Sequence, residues 1–328
     1  MGEDVEHEVN RLWKVVMSKI YRAKQTGSAN TGTGVAMGKI SLVAIPFLLT
    51  GCGEHLLVLR PAGPVAQVEH RLILVSIVLV LVVVIPVIAL LFYMIWRYRD
   101  IPENSADYVP DWSESRTLEA IWWGIPMVII AILGTLTVRD TYRLVRPPAN
   151  SSAKVLTVHV TSLNWKWLFQ YPEQGIATVN YCAIPANQPV RFVLTSNAPM
   201  NSFWVPQLGG QEYAMPGMAM SLWLQADRPG VYFGSGANFS GREFAQMKFH
   251  VDAKSRLGFQ QWVQQVKSTA PALSSSGYHE LTRNSVMGEK SYSSYPPGSF
   301  EQTVQRSGGM YMKHHMNDMK HGNMAGTD

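Results

Sequence analysis

The sequence predicts a membrane protein of the α+β class, in which a two-helix transmembrane hairpin carries an all-β sandwich. Two uncharged apolar segments, 72–96 and 120–138, are long enough to cross a bilayer and predict the hairpin. Short alternating segments separated by turn residues over 150–252 predict the sandwich. Only 16% of the 328 residues are charged, against about a quarter in soluble proteins. The net charge of +5 comes without a basic stripe, so nucleic-acid binding is not expected.

Segment 37–51 has the order of a bacterial lipoprotein signal peptide and ends directly before Cys52. A lysine follows a start-like methionine, an apolar run comes next, and small residues precede the cysteine. We expect Cys52 to become the lipidated first residue of the mature chain; a buried cysteine in a short apolar helix is the alternative. Residues 1–36 would then be a spurious N-terminal extension, and 52–71 a periplasmic segment.

Arginines alone do not orient the hairpin, because they flank both sides of the spans in similar numbers. They are Arg97, Arg99 and Arg116 in the connecting loop, and Arg60, Arg71, Arg139, Arg143 and Arg146 on the outer flanks. A lipid on Cys52 would place loop 97–119 in the cytoplasm and everything after residue 139 in the periplasm.

Glu119 stands at the cytoplasmic start of the second span. A carboxylate at the edge of a membrane segment is a candidate functional group. A solvated glutamate, stabilised by the positive end of the helix dipole, explains the same residue equally well.

The region 150–252 contains six segments that we expect to be strands. In the first of them Leu156, Val158 and Val160 alternate onto one face, while His159 alternates onto the polar face, as does His250 in the last. Both histidines are therefore expected at the surface, and Trp165 and Trp167 in the core. The segments are 154–161, 164–171, 189–196, 221–227, 230–234 and 245–251.

The chain after the sandwich is predicted to form one helix and then a flexible tail. Segment 255–268 has helical apolar periodicity. Residues 269–309 are rich in Ser, Pro and Gly, and we expect the whole of 269–328 to be a flexible tail. The tail is rich in Met and His over 310–324, which are copper ligands; incidental metal affinity is the alternative. The residues are Met310, Met312, His314, His315, Met316, Met319, His321 and Met324.

Four motifs occur in the order LEAIWWGIP (118–126), NWKWLFQYPEQGIATVN (164–180), NSFWVPQLGGQEYAMPGM (201–218) and NFSGREFAQMKF (238–249). Together with the lipoprotein signal and the two spans, they resemble subunit II of the haem–copper terminal oxidases over roughly 40–268. The resemblance implies a cupredoxin-like Greek-key sandwich on the hairpin.

The resemblance also implies where copper would bind. Cytochrome c oxidases of this family hold a two-copper centre with a His and a C-x-x-x-C-x-x-x-H-x-x-M loop, and only the Met remains here. Gly and Phe offer no donor and a Ser hydroxyl is a poor copper ligand, so we expect no metal in the sandwich. This loss resembles the cytochrome o-type ubiquinol oxidase branch. The five positions are Asn201, Gly236, Ser240, Phe244 and Met247.

The resemblance implies a non-catalytic subunit of a proton-pumping enzyme that oxidises ubiquinol and reduces dioxygen to water. Haem b, haem o and copper are expected in subunit I, the main partner, with subunits III and IV and membrane lipid as further partners. Glu119 falls on the family's proton-entry glutamate, although Glu114 replaces an expected His. The implied location is the bacterial inner membrane, as a multi-pass, lipid-anchored chain with its C-terminal domain in the periplasm. A cytochrome c oxidase subunit and a membrane-anchored copper-binding or chaperone protein are the alternatives.

Overall fold

A computed structural model describes residues 56–99, 101, 114–145 and 154–306. Residues 1–36, the signal segment 37–51, Cys52, most of the loop between the spans and the Met/His segment 310–324 lie outside the described residues. The predictions made for them remain predictions.

Two long helices form the hairpin. Helix α1 covers Pro64–Arg97 and helix α2 covers Arg116–Leu144. Both are long and apolar enough to cross a membrane, and their large apolar side chains are exposed. Helix α1 begins before the apolar segment at residue 72 because Pro64 is pre-set for a first helical turn, and Val65 and Ala66 are buried. Ser115 caps α2, its Oγ accepting a hydrogen bond from Leu118 N at 3.4 Å.

Eleven strands are described, in two sheets that pack face to face. The first sheet has the order β11-β3-β2-β1-β5-β8 and the second β4-β10-β9-β6-β7. Pairs β1–β5 and β4–β10 are parallel, so connections cross between the sheets. The strands are β1 Leu156–Leu163, β2 Lys166–Tyr171, β3 Ile176–Val179, β4 Tyr181–Pro185, β5 Val190–Ser196, β6 Asn201–Trp204, β7 Glu212–Ala214, β8 Met220–Leu224, β9 Gly230–Gly236, β10 Lys248–Lys254 and β11 Lys290–Tyr292.

The core between the sheets is aromatic. The rings of Phe203 and Phe249 stack at 4.9 Å, and Trp167 meets both edge-on. Trp167 is fully buried, as predicted, and Leu156, Val158 and Val160 face this core. The sandwich predicted from alternation is confirmed, although strands β3, β4, β6, β7 and β11 are too short to give a clear pattern.

The prediction of a flexible tail from residue 269 is wrong for 269–306. Helix α3, Arg256–Thr269, is followed by α4, Ser275–Leu281, by β11 and by α5, Ser299–Arg306. The apolar residues of α4 and α5 are too sparse to show a period, but both helices pack on the outer face of the first sheet, and β11 extends the edge of that sheet beside β3. Leu273, Tyr278 and Leu281 cover Leu168 and Val179, while Phe300 and Val304 cover Val193.

His159 is not the surface histidine that its strand position predicts. The ring of Phe300 in α5 covers it at 4.2 Å, and burial lowers the pKa of His159, with Glu301 opposing that shift. His250 is 33% exposed and its Nδ1 lies 3.0 Å from Glu289 Oε1. The outer face of the first sheet is polar in sequence at His159 but is closed by the C-terminal segment.

The hairpin and the sandwich meet through a set of direct contacts. Trp223 Nε1 donates to the carbonyl of Leu144 at 2.7 Å, and Gly210 N donates to Glu69 Oε1 at 2.9 Å. Gly63 lies against the carbonyl of Gln225, so that an added Cβ would be 2.1 Å from that oxygen. Both helices are therefore fixed to the sandwich at its β8 side.

Candidate functional site

The loop 236–247 joins β9 to β10 at one end of the sandwich and contains most of the positions predicted from the copper motif. Gly236 N donates to the carbonyl of Met247 at 2.8 Å, which closes the base of the loop. Ala237 N donates to the carbonyl of Ser202 at 2.9 Å and ties the loop to β6. Because β6 begins at Asn201, the same contacts bring Asn201 to the loop.

The structure brings four of the five predicted positions together. Asn201 is fully buried, and its Nδ2 lies 2.9 Å from Met247 Sδ and 3.2 Å from Ser240 Oγ. Ser240 Oγ lies 3.4 Å from the same sulfur. Gly236 completes the group, because a Cβ there would come within 2.8 Å of Asn201 Oδ1. A small hydrogen-bonded cluster therefore occupies the centre of the site.

Phe244 is the fifth position, and its role in the structure is different. It starts a short 3₁₀ turn, Phe244–Gln246, and its half-buried ring meets the ring of Phe239 edge-on at 5.9 Å. Phe239 is 76% exposed. The loop therefore presents aromatic surface outward at this point.

Two tryptophans of β1–β2 support the loop from below. Trp167 Nε1 donates to the carbonyl of Met247 at 3.4 Å. Trp165 lies in the left-handed region with φ of 64°, which is unusual for a bulky residue. Its Nε1 is buried without a hydrogen-bond partner among the described residues and lies beside Gly241, whose φ is 114°. No local sequence pattern indicates this conformation.

Cys182 is buried in β4 and is unsuited to chemistry. Burial raises the pKa of its thiol to about 12, and the Tyr171 hydroxyl donates to its sulfur at 3.4 Å. A thiolate is the form that binds metal or attacks a substrate. This cysteine is therefore a core residue. The part of the chain that the structure describes contains no group of three or more His, Cys, Asp or Glu side chains arranged to hold a metal ion.

Glu119 lies far along the chain from this loop, in the first turn of α2. Its backbone N donates to the carbonyl of Ser115 at 2.9 Å, and its side chain is exposed. The hairpin places it at the end of α2 opposite to the sandwich.

Comparison with known proteins agrees with these features. Residues 174–254 match the family described as cytochrome c oxidase subunit II, periplasmic domain. Quinol oxidase subunit 2 of Bacillus cereus is 45% identical over 255 residues, covering 77% of this chain and 87% of the relative.

Two further relatives cover similar shares. Cytochrome bo(3) ubiquinol oxidase subunit 2 of Pseudomonas aeruginosa is 43% identical over 291 residues, covering 87% of this chain and 85% of the relative. Ubiquinol oxidase subunit 2 of Acetobacter aceti is 44% identical over 271 residues, with coverage of 81% and 87%. With this identity over most of both chains, and with a cupredoxin-like sandwich on two apolar helices, the chain belongs to the quinol oxidase subunit 2 family.

Proposed function

We propose that the chain is subunit II of a proton-pumping cytochrome o-type ubiquinol oxidase and contributes no copper centre to it. The complex would oxidise ubiquinol to ubiquinone and reduce dioxygen to water. The observation that carries the proposal is the cluster of Asn201, Gly236, Ser240 and Met247, which meets in space but lacks the donors that copper needs.

The residues present do not fit the two-copper centre. Copper in such a site requires thiolates and imidazoles, whereas the cluster offers an amide, a hydroxyl and one thioether. Asn201 Nδ2 and Ser240 Oγ both lie within hydrogen-bonding distance of the Met247 sulfur. The only soft donor is therefore already engaged, and electrons from ubiquinol would reach the oxidase without crossing this domain.

The haems and copper of the complex would reside in subunit I, with subunits III and IV as further partners. The role of this chain would be structural, through the hairpin and the periplasmic sandwich. The hydrogen bonds at Asn201 would hold the loop 236–247 in the place where a metal holds it in the copper-containing branch.

Purification of the complex tests this proposal. We expect haem-containing subunits to co-purify, and we expect oxidation of ubiquinol without oxidation of reduced cytochrome c. A copper content assigned to this chain, or rapid oxidation of cytochrome c, would contradict it. A chain that binds copper and brings no haem protein with it would favour a membrane-anchored copper-binding protein instead.

Glu119 would collect protons at the cytoplasmic side and deliver them to subunit I. Its exposed position at the end of α2 away from the periplasmic sandwich supports this role. We expect Glu119→Gln to slow turnover and proton uptake several-fold, because an amide cannot exchange a proton at neutral pH. Glu114→Gln is the matched control, since Glu114 is also exposed beside the start of α2. Equal rates of turnover and proton uptake in the two variants would rule out proton entry through Glu119.

Two further parts of the proposal concern residues outside the described ranges. Cys52 would carry the lipid anchor, so the mass of the mature N-terminal peptide should include acyl chains. The Met/His segment 310–324 would bind copper, and titration of the full chain against a version ending at residue 306 would detect it. An affinity no better than micromolar would exclude a functional copper site.

A further inference from the structure

Three arginines lie at the end of the hairpin that joins the sandwich. Arg71 is in α1, and Arg139 and Arg143 are in α2. Arg71 Nη2 lies 3.0 Å from Asp140 Oδ2, so residue 71 of α1 and residue 140 of α2 lie at a similar height along the hairpin. With a rise of about 1.5 Å per residue, Arg139 and Arg143 lie within about 5 Å of that level along α2. The three arginines therefore form a belt within about one helical turn of the same level.

The charge of this belt is only partly compensated. Asp140 is 2% exposed and forms an ion pair with Arg71, whose side chain remains 58% exposed. Arg139 and Arg143 are both exposed and make no ion pair with any residue in the described ranges. They are four residues apart and therefore share one face of α2. That face presents two neighbouring cations that the rest of the described chain leaves unneutralised.

The belt stands where lipid headgroups are expected. The apolar segment of α2 ends at Val138, directly before Arg139, and Val138 and Tyr142 beside the arginines are 56% and 79% exposed. Tyrosine is enriched at the membrane–water interface. Trp223 holds Leu144, the last residue of α2, so this level is fixed relative to the sandwich. Membrane proteins usually carry their excess of Lys and Arg on the cytoplasmic side. That rule does not explain arginines on the side of the periplasmic domain.

We propose that Arg139 and Arg143, assisted by Arg71, bind the headgroup phosphate of an anionic phospholipid in the leaflet next to the sandwich. Guanidinium groups present planar pairs of N–H donors that match phosphate oxygens. An exposed apolar side chain beside each cation gives the acyl chain a surface to follow. This inference does not depend on the oxidase assignment.

The test uses the full chain, in whatever complex it is purified with, in nanodiscs containing phosphatidylglycerol and phosphatidylcholine. Native mass spectrometry measures the phosphatidylglycerol that stays bound. We expect Arg139→Gln/Arg143→Gln to weaken retention by roughly 30-fold, the loss of two cations from a headgroup surface. Arg191→Gln/Arg228→Gln is the control, because it removes the same charge from exposed positions on the sandwich.

Three results would overturn the proposal. They are equal retention in both double variants, displacement of the lipid by inorganic phosphate alone, and loss of partner subunits from the Arg139/Arg143 variant with lipid retention unchanged. The last would show that the arginines face a protein carboxylate. If the double variant is not produced, Arg143→Gln alone is compared with Arg191→Gln by the same criteria.

Discussion

At the scale of single residues, hydrogen bonds and close contacts between side chains hold the site together. Asn201 donates toward Met247 and Ser240 and accepts from Ser202 N at 2.7 Å, so both ends of its amide are satisfied. Gly236 is required because Asn201 occupies the space of any larger side chain. One buried amide thus links strand β6 to Ser240 within the loop and to Met247 at the end of the loop.

We expect Asn201→Ala to destabilise the chain by about 1–3 kcal/mol, because it leaves buried polar groups without partners. Urea unfolding of the full chain in detergent, followed by tryptophan fluorescence, measures the change. Asn238→Ala is the control: Asn238 is half-buried, and its side chain makes a single, solvent-exposed hydrogen bond, to the carbonyl of Met200 at 3.1 Å. Equal midpoints for the two variants would show that the cluster does not hold the loop.

His159 makes a pH dependence predictable. Burial lowers the pKa of its imidazole below the ordinary 6.5, so the folded chain holds it neutral where the unfolded chain binds a proton. Above pH 6.5 the group has no effect on stability, and as the pH falls below 6.5 the free energy of unfolding decreases. The nearby Glu301 opposes the pKa shift and reduces the effect.

We therefore expect the melting temperature to fall between pH 6.5 and 5, and His159→Gln to remove part of that slope. Thermal scans at fixed ionic strength measure it, with the exposed His279→Gln as the control. If both variants keep the wild-type slope, the contact with Phe300 does not control the protonation of His159.

At the scale of elements, the C-terminal segment 269–306 is a second layer over the first sheet. Besides its apolar contacts, it is anchored by Lys166, a fully buried residue whose Nζ lies 2.8 Å from the carbonyl of Arg283 and 3.0 Å from Ser285 Oγ. Burial lowers the pKa of this ammonium group. Helices α4 and α5 are shorter than isolated helices need to be, so their stability comes from this docking.

Lys166→Met should release the segment around Arg283 while keeping the volume of the side chain. We expect faster hydrogen exchange over 282–287 and a loss of about 1–3 kcal/mol, because three acceptors, the carbonyls of Asn164 and Arg283 and the Ser285 hydroxyl, lose their donor. Exchange in α3 should not change, and Lys248→Met at an exposed position of β10 provides the comparison. Unchanged protection of 282–287 would mean that apolar packing alone anchors the segment.

At the scale of the whole molecule, the orientation of the sandwich is set by its junction with the hairpin. Ala62 N donates to the carbonyl of Gln207 at 2.8 Å, and Asp227 N donates to the carbonyl of Ala62 at 2.9 Å. Gly63 follows directly and leaves no room for a side chain against Gln225. The chain thus enters α1 along the surface of the sandwich, and this contact fixes the domain over the membrane.

Gly63→Ala should disturb this junction, since its Cβ would lie 2.1 Å from the carbonyl oxygen of Gln225. We expect a destabilisation of roughly 1–3 kcal/mol, as for other overpacked sites, and faster proteolysis between α1 and the sandwich. Gly288→Ala meets nothing within 4 Å and serves as the control. Equal cleavage rates would show that the junction tolerates the displacement.

Much of the architecture was predictable because it rests on local patterns. Long uncharged runs define α1 and α2, and alternation at Leu156, Val158 and Val160 defines a strand whatever surrounds it. The meeting of Asn201 with Met247 could be expected only through the family resemblance. The cover over His159 and the burial of Lys166 follow from contacts between residues more than a hundred positions apart, as with Lys166 and Arg283. No local pattern indicates the left-handed Trp165.

The sequence by itself determined the hairpin, the sandwich and the family, because hydrophobic periodicity and short motifs depend only on residues close together in the chain. Through the family resemblance it also led us to expect no copper ligands at Asn201, Gly236, Ser240 and Phe244. Only the tertiary structure decided which contacts these side chains make, since the hydrogen bonds of Asn201 depend on where β6 meets the loop. It likewise decided that 269–306 is folded, because sparse apolar residues gain stability only from a partner face that the sequence does not place beside them.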